Sequence, residues 1–521
     1  MTAIRPRAGD LPRVLVRLDL LDPATGAVSS LRVANEDFAD KVSQAEVYRG
    51  CLSLPPVIER SVGVTGLFDG GGAATARITI RNDGEFDQAL TSLIWEGHPV
   101  QIYAGTVRQL FAEYLSIFTG TIRSVEWSLG EIEVTVEDLL AKLEREIQPN
   151  LYAGTGGYEG GADLAGNRKP ICLGLPLNVP LVAVDRARNI YQMGDTAWTS
   201  IPMTVDALAI YNAGIPLTDD GTSTDLTSAS VSEGQYKTDP DRGLVRLGGN
   251  IVGIVTADVE AVASGSPAGT ATAASLAEIV LASRGIDTPS LDTASFTVLD
   301  SANSSDIGIY IGQGGSASQV LDTILASVGA FRTTTGGGTV SVRRLEAATA
   351  STADQCDLVL GDADLIGASP LSRLRRRLPQ VPPWQIRVGY DRVWQVQNYD
   401  ELAGNAIDAG RLDLVGNEYR YASVTSATTR TQQPDSDPVV IEAGLRGRAA
   451  AEAEAQRLAG LIGVPRGLYQ CTVGLTPGTL RLGDQVWLEL PRLGLDRGRA
   501  FRVVANRESA RNFRSDLELF G

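Results

Sequence analysis

A lysine and a cluster of glycines crowd the stretch GTGGYEGGADLAGNRKP, residues 154–170. Glycine-rich loops of this kind cradle phosphate when backbone N–H groups wrap the anion, a lysine reaches it and a hydroxyl holds its magnesium ion. Gly161 and Gly166 have the spacing of that loop, but Asn167, Arg168, Lys169 and Pro170 follow. The lysine is displaced, the hydroxyl is missing, and Pro170 disfavours an immediate helix. Gly154 and Gly156 open a dinucleotide fingerprint, yet Glu159 stands where its third glycine belongs. The stretch therefore reads as a connecting loop. Its glycines permit positive φ and close backbone approach, and Tyr152 and Tyr158 offer flat contact area. Tyr152, Tyr158, Asn167 and Arg168 are the candidate contact residues, and the loop at 154–169 is expected at a domain or subunit boundary.

Other reactive side chains are isolated. His98 is the only histidine, so a multi-histidine metal site is excluded, and it reads as a turn residue before a strand. No G-x-S-x-G elbow occurs; Ser316, in GGSAS, reads as a helix cap. Cys51, Cys172, Cys356 and Cys471 lie more than a hundred residues apart along the chain, which predicts four separate packed thiols in a reducing cytoplasm. NDGEFD (82–87) lacks the order of a calcium loop. SRLRRRLP (372–379) is the single basic run, without the interleaved aromatics of a nucleic-acid platform. The net charge of −16 argues against a duplex reader. No nucleotide, metal, cofactor or catalytic centre is expected.

The elements around these residues read mainly as strands. The chain has 521 residues, 43% apolar and 21% charged, with 56 glycines and only 6% aromatics. That predicts several β-rich domains, and no apolar run is long enough to cross a membrane. Val14, Val16, Leu18 and Leu20 alternate, as do Ile132, Val134 and Val136. Leu139, Leu140, Leu143 and Ile147 predict a helix ended by Pro149. Capping boxes are expected at Ser275 with Glu278 and at Ser316 with Gln319, each before a helix stopped by Gly285 or Gly329. A hairpin is expected around Gly336–Gly338, strands at WQIRVGY and RVWQVQ, and a helix at RAAAEAEAQRLAGLI. The predicted domains are 1–150, 151–262, 263–350 and 351–521. The last repeats the strand order of the first, with GTIRSVEW set against GRAFRVVA.

VYRGCLSLPPVIERSV, ITIRNDGEFDQAL, PVQIYAGT, IFTGTIRSVEW and VTVEDLLAKLE, taken in order, resemble the N-terminal domain of tail-tip (baseplate) hub proteins of long non-contractile-tailed phages and gene transfer agents. YAGTGGYEGGADLAGNRKPICLGLPLNVPLVAVD resembles the segment leaving that domain, GLVRLGGNIVGIVTADVEA the next β-domain, and the stretch from LRLGDQVWLELP to SDLELFG the C-terminal strands. The resemblance implies a mainly β, multidomain fold with minor α. Two tail-tube-like β-barrels would flank a β-domain and a small α+β domain. It implies a virion structural protein, made in the host cytoplasm and assembled as a homotrimer. Its partners would be the distal tail protein, the tape-measure protein and central fibre or receptor-binding proteins, with DNA passing through unheld. Arg373, Arg375, Arg376 and Arg377 would then face protein or outer solvent rather than the bore. The iron–sulfur cluster of some hubs needs grouped cysteines that this chain lacks. A surface or polysaccharide-binding β-protein and a tail-tip cell-wall hydrolase are the alternatives. The first would need aromatics grouped in a groove, the second an acid/base or metal cluster.

Overall fold

The computed structural model describes residues 11–42, 46–62, 72–84, 86–265, 271–367, 373–377 and 381–521. The chain is mainly β, with several sheets and few helices. Ten N-terminal strands are β1 (Pro12–Leu21), β2 (Val28–Ala34), β3 (Phe38–Ala39), β4 (Val47–Gly50), β5 (Leu52–Leu54), β6 (Val57–Ser61), β7 (Thr75–Arg81), β8 (Pro99–Thr106), β9 (Leu115–Trp127) and β10 (Glu131–Asp138). Nine of them form one sheet in the order β3-β4-β2-β1-β8-β9-β10-β7-β5. The alternating residues explain it: Val14, Val16, Leu18, Leu20, Ile132, Val134 and Val136 are fully buried in one cluster. Turns between strands follow local chemistry. Gly26 adopts φ 70° after Asp22, whose carboxylate accepts from the Ala24 N–H.

The tenth strand, β6, leaves this sheet for another at the opposite end of the chain. That sheet comprises β11 (Leu358–Leu360), β12 (Leu365–Ile366), β13 (Leu374–Arg377), β14 (Leu468–Gly474), β15 (Gln485–Leu488), β16 (Arg499–Ser509) and β17 (Arg514–Phe520). Its order is β11-β15-β16-β17-β14-β12, with β13 also on β14 and β6 on β16.

The two sheets repeat one another in register. The run β8-β9-β10-β7-β5 matches β15-β16-β17-β14-β12. Val136 pairs with Ile122 on one side and Ala76 on the other; Leu519 pairs with Val503 and Tyr469. One residue bulges at the same place in each meander, Arg123 in β9 and Val504 in β16. The outer strands agree too, since Leu52 faces Ile80 and Leu365 faces Val473. This register sets Gly120 against Phe501 (they face Val100 and Val486). GTIRSVEW and GRAFRVVA thus lie on corresponding strands, with their leading glycines three positions apart in this register. The likeness ends at β1 and β11, which are antiparallel and parallel to their neighbours.

Between the two lie smaller layers. Ile171–Gly174, Met203–Asn212, Val255–Ala263 and Gly308–Ile311 belong to one sheet. Val182–Asp185, Ile190–Gln192, Gln235–Asp239 and Leu244–Leu247 belong to a second. Helices Ala273–Ala282, Thr293–Ala302 and Ala317–Ser327 and the hairpin Ala330–Thr334/Val340–Arg344 pack into a core shared with the C-terminal sheet. A three-stranded sheet around Gln385–Tyr390 is covered by helix Arg448–Leu461. No helix among the described residues is long and apolar enough to cross a membrane.

Some local expectations need correction. Leu139–Glu144 is a 3-10 turn rather than an α-helix, because Asp138 caps Leu140 and is itself tied to Ala74 and Thr334. The first helix of the α+β layer is capped by Thr272, not Ser275. RVWQVQ forms no strand: Asp391 has φ 49°, and the Arg392 guanidinium lies 3.8 Å from the Trp394 ring centroid. The capping box of Ser316 and Gln319 is present.

Candidate functional site

The glycine loop is a closed structure with its own partners. The Tyr152 N–H donates to the Asn167 carbonyl, the Gly166 N–H to the Tyr152 carbonyl and the Lys169 N–H to the Asn150 carbonyl. These bonds make a neck, and the glycines make the tip. Gly154, Gly156, Gly157, Gly160 and Gly166 all have positive φ. A Cβ on Gly154 would come within 2.5 Å of the Ala165 Cβ. Lys169 points into its own loop, 2.7 Å from the Glu159 carboxylate and 5.5 Å from the Tyr152 ring centroid. The contact holds the Glu159 carboxyl below its ordinary value. This pair therefore stabilises the loop above the usual carboxylate range and stops doing so as pH falls through it.

Each candidate contact residue has a defined place. Tyr152 is buried with Val184, Ile190, Leu226 and Leu244, which raises its phenol pKa. The Tyr158 hydroxyl accepts from the Leu226 N–H at 2.9 Å and donates to Asp225 at 3.3 Å. Arg168 donates to the Gln148 carbonyl and pairs with Glu146. Asn167 is exposed, and its carbonyl closes the neck. The loop thus packs on the strands that follow it. Lys169→Ala is expected to cost about 1 kcal/mol or less and to leave nucleotide retention on a filter at background. Retention by the wild type that this variant loses would restore the phosphate reading.

The remaining candidates stay apart. Among the described residues, no group of three or more His, Cys, Asp or Glu side chains could hold a metal ion. His98 lies in the turn before β8, and its carbonyl accepts from the Ile122 N–H. All four thiols are free, and Cys51, Cys172 and Cys471 belong to three different cores. Burial raises the Cys172 thiol pKa and pushes Cys471 up to about 12, so neither is a thiolate at neutral pH. The basic run becomes β13. Arg373 pairs with Asp362, Arg377 with Glu518, and Arg376 lies 5.8 Å from the Tyr469 ring centroid.

What the sequence did not disclose is the seam between the two repeated sheets. β6 pairs antiparallel with β16, Val57–Ser61 against Ala505–Ser509. Arg60 sits at its centre, with one amino group 3.2 Å from the Glu508 carboxylate and the other donating to the Ile117 carbonyl of β9. Glu508 is 1% exposed and also accepts from the Gly478 N–H at 2.7 Å. Burial keeps its carboxyl pKa raised even beside Arg60. In return, Ala510 and Phe513 from the last hairpin insert into the N-terminal core with Ile58. The alternation Ile58, Arg60 was the available signal: one apolar and one charged residue on the inward side of a short strand.

No protein-family model matches the chain, and no curated protein matches it. Among solved structures it is similar to a tail protein from Neisseria meningitidis MC58, 11% identical over 98% of this chain and 96% of that one, with a TM-score of 0.40. It is also similar to the 43 kDa tail protein of prophage MuSo2 from Shewanella oneidensis, 11% identical over 97% and 98%, with a TM-score of 0.36. A chain of a native gene transfer agent virion is 13% identical over 68% and 78%, with a TM-score of 0.35.

Proposed function

We propose that the chain is a structural hub of a phage tail tip and that three copies form a ring around the exit channel. The repeat of β8-β9-β10-β7-β5 as β15-β16-β17-β14-β12 is the observation that carries this reading. One chain presents two equivalent sheets, so three chains present six. Such a ring meets a sixfold distal tail protein on one side and threefold fibre or receptor-binding proteins on the other. The family resemblance of the sequence points the same way. On this reading the chain is no enzyme and holds no cofactor; the tape-measure protein and DNA pass through the ring. The overall charge of −16 per chain supports passage without gripping, because contacts to several phosphates slow release and like charge opposes them. The test is the copy number. Sedimentation of the purified chain and images of assembled tips should both give three copies; one or six at the tip would sink the proposal.

A further inference from the structure

The two repeated sheets differ at one edge. In the C-terminal sheet, β16 runs past the end of β15, and its outer half, Ala505–Ser509, is paired with β6. The equivalent stretch is Ser124–Trp127 at the end of β9, with Ser128 just beyond it. Among the described residues no strand pairs with its outer side. Ser124, Glu126 and Trp127 are exposed there.

We infer that this edge of β9 receives strand β13 from a second copy of the chain. The inference rests on the three-copy reading and gives that ring its contact between copies. β6 and β13 are counterparts, since each follows the matched edge strand, β5 or β12. They share one pattern: Ile58-Glu59-Arg60-Ser61 against Leu374-Arg375-Arg376-Arg377. Ile58 is fully buried and Leu374 packs on the core, while Glu59 and Arg375 face outward into one groove.

The charges exchange in the sense that docking requires. In the filled edge, Glu59 stands opposite Arg507. In the open edge the Arg507 position is Glu126, and the strand to be docked carries Arg375 at the Glu59 position. Both edges then hold an acid opposite an arginine, with the signs reversed. The other contact changes kind. Arg60 reaches Glu508, whose position in β9 is Trp127, 37% exposed. Arg376 at the Arg60 position would lay its guanidinium on that indole, as it lies over the Tyr469 ring within its own chain. β13 therefore serves two ladders: one edge already pairs with its own β14, and the other, unpaired among the described residues, is offered to β9 of the next copy. Because donor and acceptor edges differ, the contact is head-to-tail, which forms a ring where a threefold rotation relates the copies, as the three-copy reading requires.

Opposite residues of an antiparallel pair are close enough for a disulfide. An equimolar mixture of Glu126→Cys and Arg375→Cys chains, one carrying a size tag, should cross-link under mild oxidation. The heterodimer band should exceed either single variant's by at least about tenfold. Glu126→Arg should lower the three-copy fraction at least about tenfold in sedimentation, through like-charge contact. Adding Arg375→Glu in the same chain should restore it. Both residues are exposed, so the fold is unaffected. Absence of the cross-link and of the charge-swap rescue overturns the inference. If the mass still shows three copies, the ring reading survives that failure; if it shows one copy, both fall.

Discussion

Glu508→Ala should cost about 3–5 kcal/mol of stability, because it leaves the Arg60 charge at the seam without its partner. Glu508 carries two roles at once. Its carboxylate meets Arg60 at 3.2 Å, and it accepts from the Gly478 N–H. Glu508 has no water to turn to, being 1% exposed, and the Arg60 side chain is 13% exposed. Burial of an ion pair is itself expensive, so the pair as a whole adds little over an apolar substitute; breaking it is what costs. A double-mutant cycle separates these statements. Arg60→Leu with Glu508→Leu should recover most of the loss seen in either single variant, with a coupling energy of about 2 kcal/mol or more. Urea unfolding gives the energies. Hydrogen exchange at Val57–Ser61 and Ala505–Ser509 shows whether the ladder opens with them. Unchanged protection in Glu508→Ala would mean that the backbone pairing alone holds the seam.

Gly174→Ala is the second large effect. Gly174 has φ 67°, and a Cβ there would lie 2.0 Å from the Ile307 carbonyl oxygen. Its ladder partner Gly308 is equally confined, with a Cβ position 2.3 Å from the Leu175 carbonyl. An alanine costs about 1–2 kcal/mol for the left-handed backbone. It must also displace a carbonyl that accepts from the Leu175 N–H, which adds about 1–3 kcal/mol. The expected loss is about 3 kcal/mol or more. Gly26→Ala provides the contrast: φ is 70°, but nothing lies within 4 Å of its Cβ position. It should show the backbone cost alone, about 1–2 kcal/mol. Equal losses in the two variants would remove the steric half of the argument.

Local order was readable where neighbouring residues decide it. The alternation of Val14 to Leu20 and of Ile132 to Val136, the Ser316 box and the hairpin at Gly336–Gly338 all depend on residues a few positions apart. Helix Thr293–Ala302 went unseen because only Phe296 and Leu299 of it are buried, too short a stripe to stand out. RVWQVQ alternates like a strand, but hydrogen bonds tie it to the 177–178 turn, where the Trp394 and Gln395 N–H groups donate to the Leu177 and Asn178 carbonyls and the Asn178 side-chain amide donates back to the Gln395 carbonyl. The displacement of Lys169 in the glycine loop was legible, and the structure pairs that lysine with Glu159 of its own loop. The loop's tie to Asp225 and Leu226 was hidden, since a tyrosine does not name its partner. The seam was least legible of all. A five-residue strand carries too little pattern to announce a sheet at the other end of the chain.

That separation also imposes a schedule. Arg60 and Glu508 are 448 positions apart, so Glu508 leaves the ribosome about 20–90 s after Arg60 at ordinary synthesis rates of about 5–20 residues per second. For that interval β6 is a finished strand with no sheet to join, and Ile58 waits without Phe513 beside it. The N-terminal core must therefore persist without Ala510 and Phe513, and β6 with an adhesive unpaired edge, until translation is almost over. A chain interrupted before residue 505 would keep that edge for good and offer it to any neighbour on the same polysome.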